Sequence, residues 1–342
     1  MTNVAVIILA WNGHAFLPDC LTAVLAQDCP ARFDVLVVDN ASSDGSIDLV
    51  RTQFPQVAVM ENHHNLGFAG GNNVGLRALL AGVAPSPCDV VPDIVVLLNQ
   101  DTIVAPNWLA ELVAVFERRP QAGIVGCKIF FPGTQTLQHA GGTIQWPVGT
   151  GLHRGTGEQD HGQYDTEVVL DYVTGAALAL RSPVLQQIGL LDEGFSPAYY
   201  EDTDLCYRAR AAGFEVVYAP RAQLQHHEGT SLQAQSPAHQ RAYHRNRLRF
   251  VLKHAPLPVL TEAFAPAEEE EMRRWGLTNS QPRKQAYLDA ILALPELLQQ
   301  RLDAGGDVPY QLLALLETLY RQVVTEEQLR RAEALNPAPQ TS

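Results

Sequence analysis

Ile94-Val95-Val96-Leu97-Leu98 runs without a polar break and is followed at once by Asn99-Gln100-Asp101-Thr102. A short, wholly apolar run with β-branched residues predicts a strand buried on both faces, as in the middle of a parallel sheet. In open α/β sheets, ligands gather at the carboxyl ends of such strands. Asp101 is therefore expected at a site, carried by a rigid strand. A single carboxylate there suits one divalent cation held against a phosphate-bearing ligand, since magnesium uses one or two carboxylates together with substrate phosphates and water. The other reading of Asp101 is an N-cap for a helix starting near Pro106.

The same signature recurs from the start of the chain. Val4-Ala5-Val6-Ile7-Ile8-Leu9 reads as a buried strand, with Ala10-Trp11-Asn12-Gly13 as the turn at its carboxyl end. Residues 14–27 have helical spacing through Phe16, Leu17, Leu21, Val24 and Leu25. Phe33-Asp34-Val35-Leu36-Val37-Val38 is a second strand ending on Asp39, and residues 40–46 form a loop of turn formers with Asp44 as the N-cap of the next helix. With a third strand at 57–60, strand and helix alternate, which predicts a nucleotide-binding type of parallel sheet rather than an all-β or all-α fold.

Asn65-Leu66-Gly67-Phe68-Ala69-Gly70-Gly71-Asn72-Asn73 admits two readings. Its glycines let the backbone approach a ligand, with a helix beginning near Gly71 aiming free N–H groups at it; or it is an ordinary glycine-rich turn. The spacing is neither G-x-G-x-x-G nor a P-loop. Further on, residues 108–116 read as a helix and 122–130 as a strand. Residues 131–166 read as a loop-rich part with antiparallel strands, suited to the variable side of a substrate cleft. Residues 168–180 look strand-like around Gly175, and 184–188 helical. Glu201, Asp202 and Asp204 precede a helix at 205–212. They complement its dipole or, three together, form a working site. A strand at 214–218 and the segment His226-His227-Glu228-Gly229-Thr230-Ser231 follow.

Beyond Ser236 the pattern is helical, which divides the chain into a main domain, 1–235, and a C-terminal helical region, 236–342. Residues 241–253 carry Arg241, Arg245, Arg247, Arg249 and Lys253, a basic stretch that either faces solvent or approaches an anionic membrane. Residues 255–266 and the run Glu268-Glu269-Glu270-Glu271 read as a linker or solvated surface. Apolar spacing at 288–298 and 312–320 predicts helices that pack on the main domain or on a second copy in a homo-oligomer, and 336–342 reads as a frayed tail.

Composition narrows the classes. A net charge of −13 argues against nucleic-acid binding by phosphate neutralisation, although a metal ion can supply local positive charge for an anionic nucleotide. The five cysteines show no C-x-x-C spacing, which points to reduced thiols in a cytosol. Neither a basic leader nor an apolar run of membrane-spanning length is found, so a cytoplasmic location is expected.

With these residues laid out, the chain resembles glycosyltransferase family 2, in particular the bacterial rhamnosyltransferase-like branch of polysaccharide assembly. The resemblance rests on seven blocks in order: residues 6–13, 37–46, 65–73, 97–102, 175–177, 191–195 and 200–206. Trp11 stands where the family more often has tyrosine, and Gln100 where proline is common. The resemblance implies a GT-A fold, an α/β architecture with a Rossmann-like mixed sheet flanked by helices, here carrying a C-terminal helical extension. It implies inversion at the anomeric carbon, a nucleotide-diphosphate sugar donor (dTDP-rhamnose-like or a UDP-sugar) and Mn2+ or Mg2+. The implied acceptor is a glycan or lipid-linked glycan, which would put the protein at the inner face of the cytoplasmic membrane. Residue by residue, it implies Asp202 as catalytic base and Asp39 as holder of the base or ribose. Asp101 and His226 would bind the metal, with His227 as the alternative histidine. Arg245 would touch the diphosphate, and Ala10, Asn12, Asn65, Gly67, Gly71, Asn99 and Glu201 would line the substrate.

Two rivals are weighed. Sugar-nucleotide nucleotidyltransferases resemble one another in a glycine-rich loop with a basic residue after the first strand; here Ala10-Trp11-Asn12-Gly13-His14 has no Lys or Arg. A non-catalytic carbohydrate-binding protein on a decayed transferase fold is disfavoured by the presence of Asp39, Asp101 and Asp202.

Overall fold

Each apolar run pairs on both edges, because a backbone buried on both faces has no water to satisfy its N–H and C=O groups. In the computed structural model, which describes residues 2–85, 87–227, 236–274, 277–307 and 312–335, the chain divides into two compact units. The first is Met1–Thr143 with Leu152–Thr230; the second is Ile144–Gly151 with Ser231–Ser342.

The first unit begins with the expected alternation: β1 (Asn3–Ala10), α1 (Leu17–Leu25), β2 (Arg32–Asp39), α2 (Ser46–Gln53), β3 (Ala58–Glu61), α3 (Gly67–Leu80) and β4 (Ile94–Asn99). β1 lies between β2 and β4, all parallel, and β3 continues beyond β2. The register sets Ala10 opposite Asp39 and Leu9 opposite Asn99, so these positions share the carboxyl edge. β5 (Thr102–Val104), α4 (Trp108–Arg118), β6 (Ala122–Phe130), β7 (Leu137–His139), β8 (Gly142–Gln145), β9 (Thr150–His153), β10 (Val168–Val169), β11 (Ala177–Arg181), α5 (Ser182–Ile188), α6 (Glu201–Ala211) and β12 (Glu215–His226) follow. β11 is antiparallel to both β4 and β6, so the sheet is mixed, in the order β10-β12-β6-β11-β4-β1-β2-β3. The core packs Val6, Ile8, Val37, Val96 and Leu98 of the strands against Leu21, Trp108 and Leu112 of the helices.

Three sequence expectations need correction here. α4 starts at Trp108 with Asn107 in its N-cap position, so the alternative reading of Asp101 as a helix cap does not hold. α3 starts at Gly67, not near Gly71. Gly67 has φ +72° and opens the helix from a loop that Asn40 ties down. Gly71 lies inside the helix, where an added Cβ would fall 2.5 Å from the Leu9 side chain; its smallness serves close helix–sheet packing rather than ligand approach. Finally, β12 does not stop at Tyr218 but runs to His226. Pro220 lacks the N–H that a ladder needs, and the strand absorbs it in a register shift between Ala219 and Gln223.

The second unit contains α7 (Pro237–His254), α8 (Phe264–Arg274), α9 (Leu277–Asp303) and α10 (Leu312–Leu335). The expected linker is instead helical: Leu260 and Phe264 are core residues. Glu268 is fully buried, accepting from Arg247 Nη2 at 2.5 Å and Tyr287 Oη at 2.5 Å. Part of the basic stretch turns inward for the same reason: Arg247 and Arg249 are buried, paired with Glu268 and Glu296, whereas Arg241 stays exposed and pairs with Asp289. The expected frayed tail, 336–342, lies outside the described residues. No helix among the described residues is long and apolar enough to cross a membrane.

Candidate active site

The loops at the carboxyl edge are laced to one another before any ligand is considered. The Asn12 N–H donates to Ser42 Oγ (2.9 Å), and Asn12 Oδ1 accepts from the Ser43 N–H (2.9 Å). Gly13 donates to Ser46 Oγ and His14 to Asp44 Oδ2. Asp44 also accepts from the Ser46 N–H (3.0 Å), so it caps α2 from one position before the formal N-cap, Gly45. Asp39 is buried, and both its oxygens face the Ser42 N–H at 3.2 and 3.1 Å. Ala10, opposite it, is buried too.

Asn40 is the hub of this edge. Its Nδ2 donates to Asn65 Oδ1 (2.9 Å) and the Gly67 carbonyl (3.1 Å), while its Oδ1 accepts from Asn62 Nδ2 (3.1 Å) and the Leu66 N–H (3.0 Å). Asn65 Oδ1 further accepts from the Gly67 N–H (2.8 Å), and the Phe68 N–H donates to the Pro197 carbonyl (2.8 Å). The first two N–H donors of α3, those of Gly67 and Phe68, are thus already bonded within the protein. Gln100 makes a second clamp, accepting from the Trp11 N–H and donating to the Trp11 carbonyl, each at 3.0 Å. A proline at that position could do neither, having no side-chain polar group.

Asp101 and His226 meet because of strand register. β5 runs antiparallel to β12 with Thr102 opposite His226, and the His227 N–H donates to the Asp101 carbonyl at 2.9 Å. The His226 imidazole Nε2 lies 3.3 Å from Asp101 Oδ1 and 3.3 Å from Asn99 Nδ2. His227 instead sets its ring beside Phe16, 5.7 Å between centroids. Of the two histidines, it is His226 that faces Asp101.

Asp202 stands in the second turn-forming segment. Tyr199 (φ +82°) and Tyr200 (φ +71°) both lie in the left-handed region, at a cost on the order of 1–3 kcal/mol each. They turn the chain so that α6 begins at Glu201. Asp202 Oδ2 accepts from the Gly175 N–H (2.7 Å), and Oδ1 accepts from the Thr203 N–H (2.6 Å) and hydroxyl (3.1 Å). The adjacent residue, Ala176, accepts from the Asn99 N–H at 2.9 Å. A continuous path therefore runs from Asp202 through Gly175-Ala176 and Asn99 to His226 and Asp101.

The other two carboxylates of this segment do different things. Asp204 is fully buried and accepts from Arg208 Nε (2.8 Å), whose other nitrogens donate to the Ile188 and Leu190 carbonyls; it anchors α6. Glu201 is buried, its Oε2 without a hydrogen-bond partner among the described residues. Burial, and then the neighbouring Asp202 charge, pushes its carboxyl well above the usual range. Arg245 lies on α7 of the second unit, its guanidinium donating to Asn246 Oδ1 at 2.9 and 2.8 Å.

Asp101 and His226 fit a divalent cation. Two ligands bound side by side on an octahedral ion at about 2.0–2.1 Å stand about 3 Å apart, close to the 3.3 Å found. Among the described residues no group of three or more His, Cys, Asp or Glu is arranged to hold a metal, so the remaining ligands would be phosphate oxygens and water. Cys20 lies beside Thr102, but burial pushes its thiol up to about 12, so it stays protonated. Sequence reasoning missed Asn40 and Gln138 as site-building residues. Gln138 sits in a segment read only as loop-rich.

Comparison with known proteins bears on the family and the fold. A family model described as "Glycosyltransferase like family 2" matches residues 2–251. The chain is 28% identical over 281 residues to the N-acetylglucosaminyl-diphospho-decaprenol L-rhamnosyltransferase of Mycobacterium tuberculosis, covering 76% of this chain and 89% of that protein. It is 29% identical over 264 residues to an uncharacterised protein of Sinorhizobium fredii, covering 73% of this chain but only 27% of that protein. It is 28% identical over 240 residues to the O-antigen biosynthesis protein RfbC of Myxococcus xanthus, 68% of this chain and 18% of that one. Among solved structures it is similar to GalNAc-T7 with UDP, GalNAc and Mn2+ (TM-score 0.62, 13% identity, 95% of this chain, 58% of that chain). It is also similar to the mannosyltransferase PcManGT of Pyrobaculum calidifontis with GDP-Man and Mn2+ (TM-score 0.53, 17% identity, 95% and 86%). At such identities the likeness shows the fold alone, which is GT-A.

Proposed function

The chain belongs to the glycosyltransferase-like family 2, and from that premise we propose an inverting, metal-dependent transferase of polysaccharide assembly. It moves a sugar from a nucleotide-diphosphate donor, dTDP-rhamnose-like or a UDP-sugar, to a hydroxyl of a glycan or lipid-linked acceptor. The observation that carries this reading is the linked path from Asp202 through Gly175-Ala176 and Asn99 to His226 and Asp101. It supports two carboxylates with different tasks in one neighbourhood.

In the proposed reaction Asp202 takes the proton of the acceptor hydroxyl as that oxygen bonds to the anomeric carbon. The bond from the anomeric carbon to the diphosphate breaks, and its electron pair leaves with the diphosphate. A divalent cation, when bound, stabilises the charge that builds up on that leaving group. Asp101 and His226 are the residues that would hold the cation, through a carboxylate oxygen and an imidazole nitrogen. Asp39 keeps the base or ribose at the carboxyl edge, on the rim built by Asn12, Ser42 and Ser43. One displacement needs one base, whereas retention through a glycosyl-enzyme would need a carboxylate close beneath the sugar.

The test is a thermal-shift and transfer screen over nucleotide sugars with Mn2+ present or chelated. A donor at 100 times its Kd should stabilise the fold by about 2.7 kcal/mol. Asp101→Ala should lose the metal-dependent part of that shift. Shifts identical with and without chelator would remove the metal from the reading; release of pyrophosphate from nucleoside triphosphate would favour the nucleotidyltransferase instead.

A further inference from the structure

We propose that Gln138 is a positioning residue that holds the His226 imidazole in its Nδ1–H tautomer, so that Nε2 presents a lone pair rather than a proton beside Asp101, as a divalent cation requires. The inference deepens the metal-site reading above and rests on it.

The argument is one of donors and acceptors. Gln138 on β7 and His226 at the end of β12 are both buried, 6% and 7% exposed. The Gln138 side chain meets His226 twice: Nε2 donates to the His226 carbonyl at 3.3 Å, and Oε1 lies 2.8 Å from His226 Nδ1. A backbone carbonyl only accepts, so the amide end facing it must be the NH2. The other end is then the oxygen, which also only accepts. His226 Nδ1 must therefore carry the proton, and in the neutral ring Nε2 is a lone pair. Asn99 agrees, since it turns its Nδ2, a donor, toward Nε2 at 3.3 Å.

This matters because of what the alternative would do. With the proton on Nε2, the neutral ring would donate to Asp101 Oδ1, 3.3 Å away. The two groups would satisfy each other and no cation would be needed between them. The Gln138 clamp forbids that self-closure. It leaves Nε2 and Asp101 Oδ1, two acceptors, 3.3 Å apart, a pair that cannot hydrogen-bond to each other and that a cation can bridge. Outer partners of ligating histidines act in this way, and losing one costs about 10–100-fold in metal affinity.

The experiment uses the full chain, with Mn2+ alone and Mn2+ plus UDP as probes. Long-range proton–nitrogen spectra of the metal-free protein should show His226 as Nδ1–H in the wild type and shifted toward Nε2–H in Gln138→Leu. Mn2+ affinity by calorimetry should fall about 10–100-fold in Gln138→Leu. In Gln138→Glu, whose carboxylate still accepts from Nδ1, the tautomer and the Mn2+ affinity should stay at the wild-type level or above. The melting temperature of each variant establishes that it is folded. Folded Gln138→Leu with an unchanged tautomer or unchanged Mn2+ affinity overturns the inference, as does a folded Gln138→Glu that loses Mn2+ with Nδ1–H intact. Asp101→Asn separates the two levels. If it too leaves Mn2+ binding unchanged, the metal-site reading has failed; if it abolishes binding while Gln138→Leu does not, only the role of Gln138 has.

Discussion

Asp202→Asn separates the chemistry of the site from its architecture, and the structure gives both magnitudes. In the wild type one carboxylate oxygen accepts from Gly175 and the other from the Thr203 N–H and hydroxyl. The amide replaces one oxygen with a donor, so whichever way it turns, one backbone N–H faces an NH2. Keeping the oxygen on Thr203 saves two of the three bonds and leaves the Gly175 N–H unmet. A buried donor left without its acceptor costs about 1–3 kcal/mol, a loss that urea unfolding would read as a lower midpoint at unchanged slope. Turnover should fall much further. Loss of a general base costs on the order of 10²–10⁴ in rate, or about 3–5 kcal/mol of barrier at 1.36 kcal/mol per decade. The pair Asp101 and His226 is untouched, so the donor Kd with Mn2+, by calorimetry, should match the wild type. Donor affinity falling in step with kcat, or kcat staying near its original value, would refute the base assignment.

Other outcomes follow from buried groups. Glu201 has its pKa raised in the fold, so the folded state binds more protons above the ordinary carboxylate range and stability falls as pH rises, by up to about 1.4 kcal/mol per pH unit. Glu201→Gln, which mimics the protonated acid, should flatten that fall in urea unfolding from pH 5 upward; parallel curves would contradict it. Glu268→Gln should cost about 3–5 kcal/mol, because Arg247 and Arg283 would keep their charges in the interior without the carboxylate. Equilibrium unfolding is the measurement. Asn40→Ala removes four hydrogen bonds from the residue after β2 to the stretch 62–67 that leads into α3 and should destabilise by about 2–4 kcal/mol, with the loss of amide-exchange protection concentrated at residues 62–68.

Much of the fold was legible in the sequence because burial on both faces leaves a plain mark. Residues 4–9, 35–38 and 94–98 are apolar runs, and they lie in β1, β2 and β4. Asp39 and Asp101 were legible for the same reason, since each follows such a run. What could not be read was whatever depends on partners distant in the chain. Glu268 looked like part of a solvated acidic run because nothing near it reveals that Arg247 and Tyr287 will surround it. Pro220 broke the strand pattern, so the reading stopped at Tyr218 and His226 was placed by resemblance alone. Gln138 and Asn40 carry no local signal: an amide's use is decided by whichever carbonyl and N–H groups the fold brings to it.

The shift of register around Pro220 fixes not only where β12 ends but which side of it each residue shows, since neighbours along a strand point to opposite faces. Losing one residue from that irregularity would carry His227, rather than His226, to the place across from Thr102. The newcomer is the same amino acid. Two histidines in a row thus give this end of the strand a tolerance to a one-residue slip that no other neighbour would provide, and an imidazole would still arrive beside the aspartate.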